Sequence, residues 1–158
     1  MAGRRDNDGV VMFPPGVFFA GLVFGFIAWW FWPVPVVSPA WVDAVLAAGA
    51  VAIALGFGLM FWALWSFQRL RTTPTHWEPT TAIAVDGPYR YTRNPMYVGM
   101  ALVHAGIALT LNALWPLLTL VPVLVLIRTQ VIAREEAYLE AKFGAAYRDF
   151  KGRVRRWL

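Results

Sequence analysis

Apolar and polar positions along this chain fall in long blocks rather than short periods. Apolar runs cover roughly residues 17–32, 41–67, 95–111 and 113–128, with the charges lying outside them apart from Asp43 and Arg128 at their edges. About 20 apolar residues in a helix cross about 30 Å of hydrocarbon, so these blocks predict membrane helices. The first ends at Pro33 and Pro35. The second is long enough to span with some tilt. Its Gly49, Gly56 and Gly58 are small residues that let helices approach closely. The third and fourth are short and joined at Asn112, which predicts a tightly turned helical hairpin that returns to its starting face. After Arg128 the chain turns polar but keeps a helical pattern. Leu139, Phe143, Ala146, Phe150 and Val154 mark one face, and Arg134, Glu140, Lys142, Arg148 and Lys151 fill the others. That pattern predicts an amphipathic helix, broken at Gly144, lying against the membrane or the bundle. The expected fold is an all-α integral membrane protein: about four transmembrane helices and a C-terminal amphipathic helix, one domain over residues 1–158.

Charge sets the orientation. The 14 Lys and Arg occupy three places: Arg4 and Arg5; the loop holding Arg69, Arg71, Arg90 and Arg93; and the region from Arg128 onward. The Pro33–Ala40 connection and the Asn112 turn hold none. Four spans put all three basic regions on one side, and the positive-inside rule makes that side cytoplasmic, with both termini. The expected location is a bacterial inner membrane. No cleavable signal peptide is expected, because bulky Trp29 to Pro35 follow the first run where small residues would be needed. Asp43, near the outer end of the second run, is expected to be solvated.

Composition narrows the chemistry. The chain is 59% apolar and 15% charged, outside the soluble range. Nine tryptophans and eleven phenylalanines suit interfacial belts and lipid-facing surfaces. Without cysteine there is no disulfide framework, thiolate site or catalytic thiol. With His76 and His104 as the only imidazoles, no metal site is expected. The net charge of +5 flanks the spans, so nucleic acid is not an expected partner. Arg153, Arg155, Arg156 and Trp157 read as an anchor to anionic lipid headgroups.

The chemistry-bearing segment is Gly87-Pro88-Tyr89-Arg90-Tyr91-Thr92-Arg93-Asn94-Pro95-Met96-Tyr97, taken with Glu135-Glu136. The hairpin between them returns the glutamates to the face carrying the arginines and tyrosines. Gly87-Pro88 marks a turn, Pro95 suits the first turn of a helix, and Asn94 falls at its N-cap. Free backbone N–H groups there, with Arg90 and Arg93 nearby, predict an anion pocket. Tyr97 lies one turn inside, and Gly99 permits close approach of a ligand or a helix. Taken singly, the arginines read as ordinary flanking charges and the tyrosines as interface anchors. Glu135 and Glu136 point about 100° apart on a helix. One is expected to receive a cationic amine while the other pairs with Arg128, Arg134 or Lys142. Anion pocket plus carboxylate suits a zwitterionic amino-acid group, such as that of S-adenosylmethionine. His104 shares the face of Tyr97; inside a membrane it either lines a substrate cavity or hydrogen-bonds a neighbouring helix.

The sequence resembles the isoprenylcysteine carboxyl methyltransferase and phospholipid methyltransferase superfamily. The likeness rests on Gly87-Pro88-Tyr89, on Arg93-Asn94-Pro95-Met96-Tyr97 with Gly99, and on Glu135-Glu136 followed by Phe143-Gly144 and Tyr147. Many members have His at the position of Asn94 and another near Thr81, and this chain has neither. The resemblance implies S-adenosyl-L-methionine held between residues 80–99 and 128–154, without a Rossmann domain. Its expected contacts are Gly87, Pro88, Tyr89, Arg90, Arg93, Asn94, Pro95, Tyr97, Gly99, Glu135 and Glu136. Arg93, Glu135 and His104 are the expected catalytic group. A bilayer-side opening would admit a lipophilic acceptor, most like isoprenylcysteine carboxylate. The alternatives are phospholipid amine N-methylation, an NADPH-dependent membrane reductase and a non-enzymatic membrane scaffold. Methyl transfer is an in-line displacement that depends chiefly on alignment, and a carboxylate acceptor needs no general base.

Overall fold

A computed structural model describes residues 12–69 and 83–158. Arg4, Arg5, Arg71, His76 and Thr81 lie outside them. Among the described residues six α-helices form: α1 Pro14–Phe31, α2 Val42–Arg69, α3 Pro95–Thr110, α4 Leu114–Leu126, α5 Ala133–Phe143 and α6 Ala145–Arg153. Three helical stretches among the described residues are long and apolar enough to cross a membrane: Pro14–Phe31, Pro39–Arg69 and Leu114–Phe143. The fourth apolar helix, Pro95–Thr110, is shorter, reaching about 24 Å at 1.5 Å per residue.

The fourth segment departs from expectation. It does not stop near Arg128 but runs unbroken from α4 through a π-wound stretch, Ile127–Ile132, into α5. A π turn shifts the helical register, and such stretches recur at functional sites. Ile127, Val131 and Ile132 are fully buried along it, and Glu136 is carried to the buried side one turn later.

Close backbone approach builds the bundle. α2 packs antiparallel on α3 through two glycine pairs, each seven residues apart on its helix. A Cβ on Gly49 would come 2.7 Å from the Gly106 carbonyl, and one on Gly56 2.6 Å from the Gly99 carbonyl. Gly99 therefore serves helix packing. Gly58 meets nothing within 4 Å, so it is not a packing glycine as its sequence context suggests. On the far side of α3, α1 packs on α4. Phe18, Tyr97, Val123, Ile127, Val131 and Ile132 form the core there, with Trp157 against them.

The two uncharged connections meet at one end. Asn112 stands at φ +48°, and its Oδ1 accepts from the Val36 and Val37 N–H groups at 2.9 Å each. Its Nδ2 donates to the Val37 carbonyl at 3.1 Å, and Pro35 pairs with Ala113 in a single β-bridge. Asp43, in the first turn of α2, is exposed as expected.

The polar helix breaks at Gly144, at φ +56°. α5 and α6 fold back on the bundle, where Tyr147 and Phe150 join Ala63, Ala84 and Tyr89 in a second core cluster. Ala146, expected on the apolar face, is exposed; Tyr147 takes that place, because the break resets the register.

Candidate active site

The segment before α3 is pressed onto the end of α2. Gly87 holds φ +61°, and a Cβ there would lie 2.5 Å from the Ser66 Oγ. Pro88 is fully buried, and its carbonyl accepts the N–H of Tyr91 at 3.1 Å and of Thr92 at 3.3 Å. Tyr89 is buried edge-on to Phe67, ring centres 5.3 Å apart. Burial raises its hydroxyl pKa far above the ordinary tyrosine range, and the nearby Glu135 charge adds to the rise.

Glu135 and Glu136 divide in role. Glu135 is half-buried and accepts the Tyr97 hydroxyl at 2.6 Å. Glu136 is 6% exposed and lies between two guanidiniums. Arg156 grips it as a fork, Nε to Oε1 at 3.0 Å and Nη2 to Oε2 at 2.6 Å. Arg93 Nη1 stands 3.0 Å from Oε1 as an ion pair, and its Nε has no hydrogen-bond partner. The Arg93 side chain is 9% exposed and that of Arg156 30%. Hydrogen bonding to Glu136 raises the Arg156 pKa above its ordinary value. Burial pushes the Tyr147 hydroxyl up to about 12, the Glu136 charge being the next cause. The partners expected for the acidic pair, Arg128, Arg134 and Lys142, do not hold Glu136.

The segment after α6 accounts for the difference. It runs beside residues 92–94. The Arg93 N–H donates to the Arg155 carbonyl at 2.9 Å, and the Arg156 carbonyl accepts from Thr92 Oγ1 at 3.1 Å and Asn94 Nδ2 at 2.9 Å. Asn94 holds the N-cap position of α3, but its side chain makes no cap bond. The segment's carbonyls thus lie beside the expected anion pocket at that helix start.

Arg90 and Arg93 are separated. Arg93 is turned inward; Arg90 is exposed and lines an open cavity of about 460 Å³ with Val85, Asp86, Phe150, Arg153 and Val154. His104 lies seven residues beyond Tyr97 on α3, about 10 Å along the axis. It is 1% exposed, hydrogen-bonds through Nε2 to the Pro116 carbonyl at 2.8 Å, and meets Phe18 edge-on. The hydrogen bond to a neighbouring helix expected of it is thus present. The fold brings together Tyr89, Arg93, Tyr97, Glu135, Glu136 and Tyr147. Arg156 is the member that sequence reasoning missed. No sequence signal marks it, because the need for a cation at residue 136 arises only once the fold buries that acid.

Among the described residues no cluster of His, Asp or Glu could hold a metal ion.

A family model described as phospholipid methyltransferase matches residues 44–146, well over half of the chain. An uncharacterised protein of Haemophilus influenzae is 47% identical over 64 residues, covering 40% of this chain and all of that protein. No solved structure matches this chain.

Proposed function

Since the chain belongs to the phospholipid methyltransferase family, and is in that general sense a membrane methyltransferase, we propose that it uses S-adenosylmethionine to methylate a lipophilic acceptor. The observation that carries this reading is the convergence of Arg93, Tyr97, Glu135 and Glu136 at the end of the bundle that the C-terminal basic segment reaches. Those residues fit the cofactor's amino-acid group. Glu135, fixed by Tyr97, would receive its ammonium. The cofactor supplies a methyl group on a sulfonium centre. The protein's part is placement and exclusion of water, the larger share of the work in an in-line transfer. Buried Tyr89 and Tyr147 keep their protons at neutral pH, so they serve as fixed dipoles and not as bases.

The acceptor we favour is a carboxylate of the isoprenylcysteine kind, since methylating it requires no proton removal. A phospholipid amine is the second reading. It is favoured by the family description. The site would face the cytoplasm, as the charge distribution implies.

Calorimetry on detergent-purified protein tests the cofactor: micromolar S-adenosylmethionine binding with no NADPH binding is expected. Binding of NADPH alone would move the protein to a reductase, and binding of neither would favour a scaffold. Transfer of labelled methyl from S-adenosylmethionine into membrane extract then tests the acceptor. An ester product releases methanol in base, whereas an N-methyl product is stable.

A further inference from the structure

We propose that the segment following α6, residues 154–157, forms a wall of the site and that Arg156 is its positioning residue, fixing the Glu136 carboxylate and through it the Glu135–Tyr97 pair. This rests on the function proposed above. The family match ends at residue 146, so nothing in it assigns a role to this segment.

Three observations converge. First, Thr92, Asn94 and Glu136 are polar residues buried to 1%, 8% and 6% exposure. The Thr92 hydroxyl, the Asn94 amide and both Glu136 oxygens all find partners on Arg156. A buried polar group that loses its partner keeps its full desolvation cost, so this segment is needed where it stands. Second, Trp157 packs against the cluster containing Tyr97, Val131 and Ile132. The segment thus reaches the core cluster to which Tyr97, the residue that holds Glu135, and the π-wound turn both belong. Third, the grip is a two-pronged guanidinium contact, which fixes the carboxylate plane as well as its charge. Lysine keeps the charge and loses the fork. Glu135 and Glu136 are neighbours on one helical turn, so freeing Glu136 loosens the backbone that presents Glu135.

So many independent ties argue for a fixed wall and against a displaceable lid. Removing Arg156 should therefore weaken ligand binding rather than open the site to it.

The test compares Arg156→Gln, Arg156→Lys and Lys151→Gln. Lys151 pairs with Glu140 at the surface, which makes it a charge-loss control. Calorimetry with S-adenosylmethionine is run beside hydrogen exchange of residues 92–98. Arg156→Gln should weaken affinity roughly tenfold or more, the scale for loosening a positioning contact, with the lysine variant recovering only part. Lys151→Gln should stay within about twofold, below the tenfold that 1.4 kcal/mol represents. The Arg93 amide should exchange faster in Arg156→Gln alone. Unchanged affinity with a lower melting point would reduce Arg156 to a structural role and overturn the proposal. If the wild type binds no S-adenosylmethionine, the functional reading fails by itself. Exchange then decides the segment: an Arg93 amide as protected in Arg156→Gln as in wild type would overturn its role as a wall.

Discussion

Replacing Glu136 by Gln should damage stability far more than replacing Glu135 by Gln, although the residues are adjacent and chemically identical. Glu136 neutralises two guanidiniums, one of them nine-tenths buried. The amide keeps the shape but cannot balance either charge, and it presents donors to groups that only donate. Breaking a buried pair by removing one partner costs roughly 3–5 kcal/mol, chiefly from the charge left behind. Arg156 is partly exposed and recovers some hydration, which places the expected loss near the lower figure. At about 2–4 °C per kcal/mol for a chain of this size, the melting point falls by roughly 6–12 °C. Glu135→Gln removes a charge from a half-buried group bonded to a hydroxyl, and an uncharged acceptor still receives the Tyr97 proton. Its loss should stay near 1 kcal/mol, the usual size of one such hydrogen bond. Cofactor affinity should respond the other way, with Glu135→Gln binding S-adenosylmethionine poorly while still folding. The assay is a detergent-solubilised melt followed by size exclusion, with calorimetry on the folded fraction. A Glu136→Gln melt within measurement error of wild type, alongside a collapsed Glu135→Gln, would show the roles to be reversed.

Three further outcomes are expected. Stability should fall in alkali, because unfolded tyrosine ionises near pH 10 while Tyr147 is held up to about 12 and Tyr89 is raised as well. The Tyr147 contribution is therefore complete below about pH 10 and lost as pH climbs toward 12, and Tyr147→Phe should flatten that decline in a pH series of melts. Gly106→Ala should destabilise by roughly 1–3 kcal/mol, as overpacking does, since its Cβ would stand 2.7 Å from the Gly49 carbonyl. Gly58→Ala, facing open space, should instead gain roughly 0.5–1 kcal/mol from helix propensity; a loss there as large as at Gly106 would mean that the face carrying Gly58 is packed.

The apolar blocks and their punctuation determined the helices by themselves. Their composition is local, and proline, glycine and charge mark where each can stop. That local signal located α1, α2 and α3 within a few residues. It also located the break at Gly144, and the placement of Asn112 where a left-handed residue turns the hairpin. The charge distribution foretold that the Pro33–Ala40 connection and the Asn112 turn share one end. The gathering of Tyr97 and Arg93 with the acidic pair was legible too, since a hairpin must return its end to its start. Tertiary structure decided the rest. Glycine spacing on α2 allowed several packing faces, and only the mating surface of α3 chose Gly49 and Gly56 over Gly58. The π-wound stretch leaves no mark in hydrophobic period, because it is a register shift made where long-range packing compensates it. Which glutamate turns inward depended on that shift. The partner of Glu136 is 20 residues away, across a helix break whose direction no local pattern fixes. Arg156 therefore read as a lipid anchor in sequence and became a member of the site in three dimensions. Burying a carboxylate demands a cation, but only the folded chain says which one arrives.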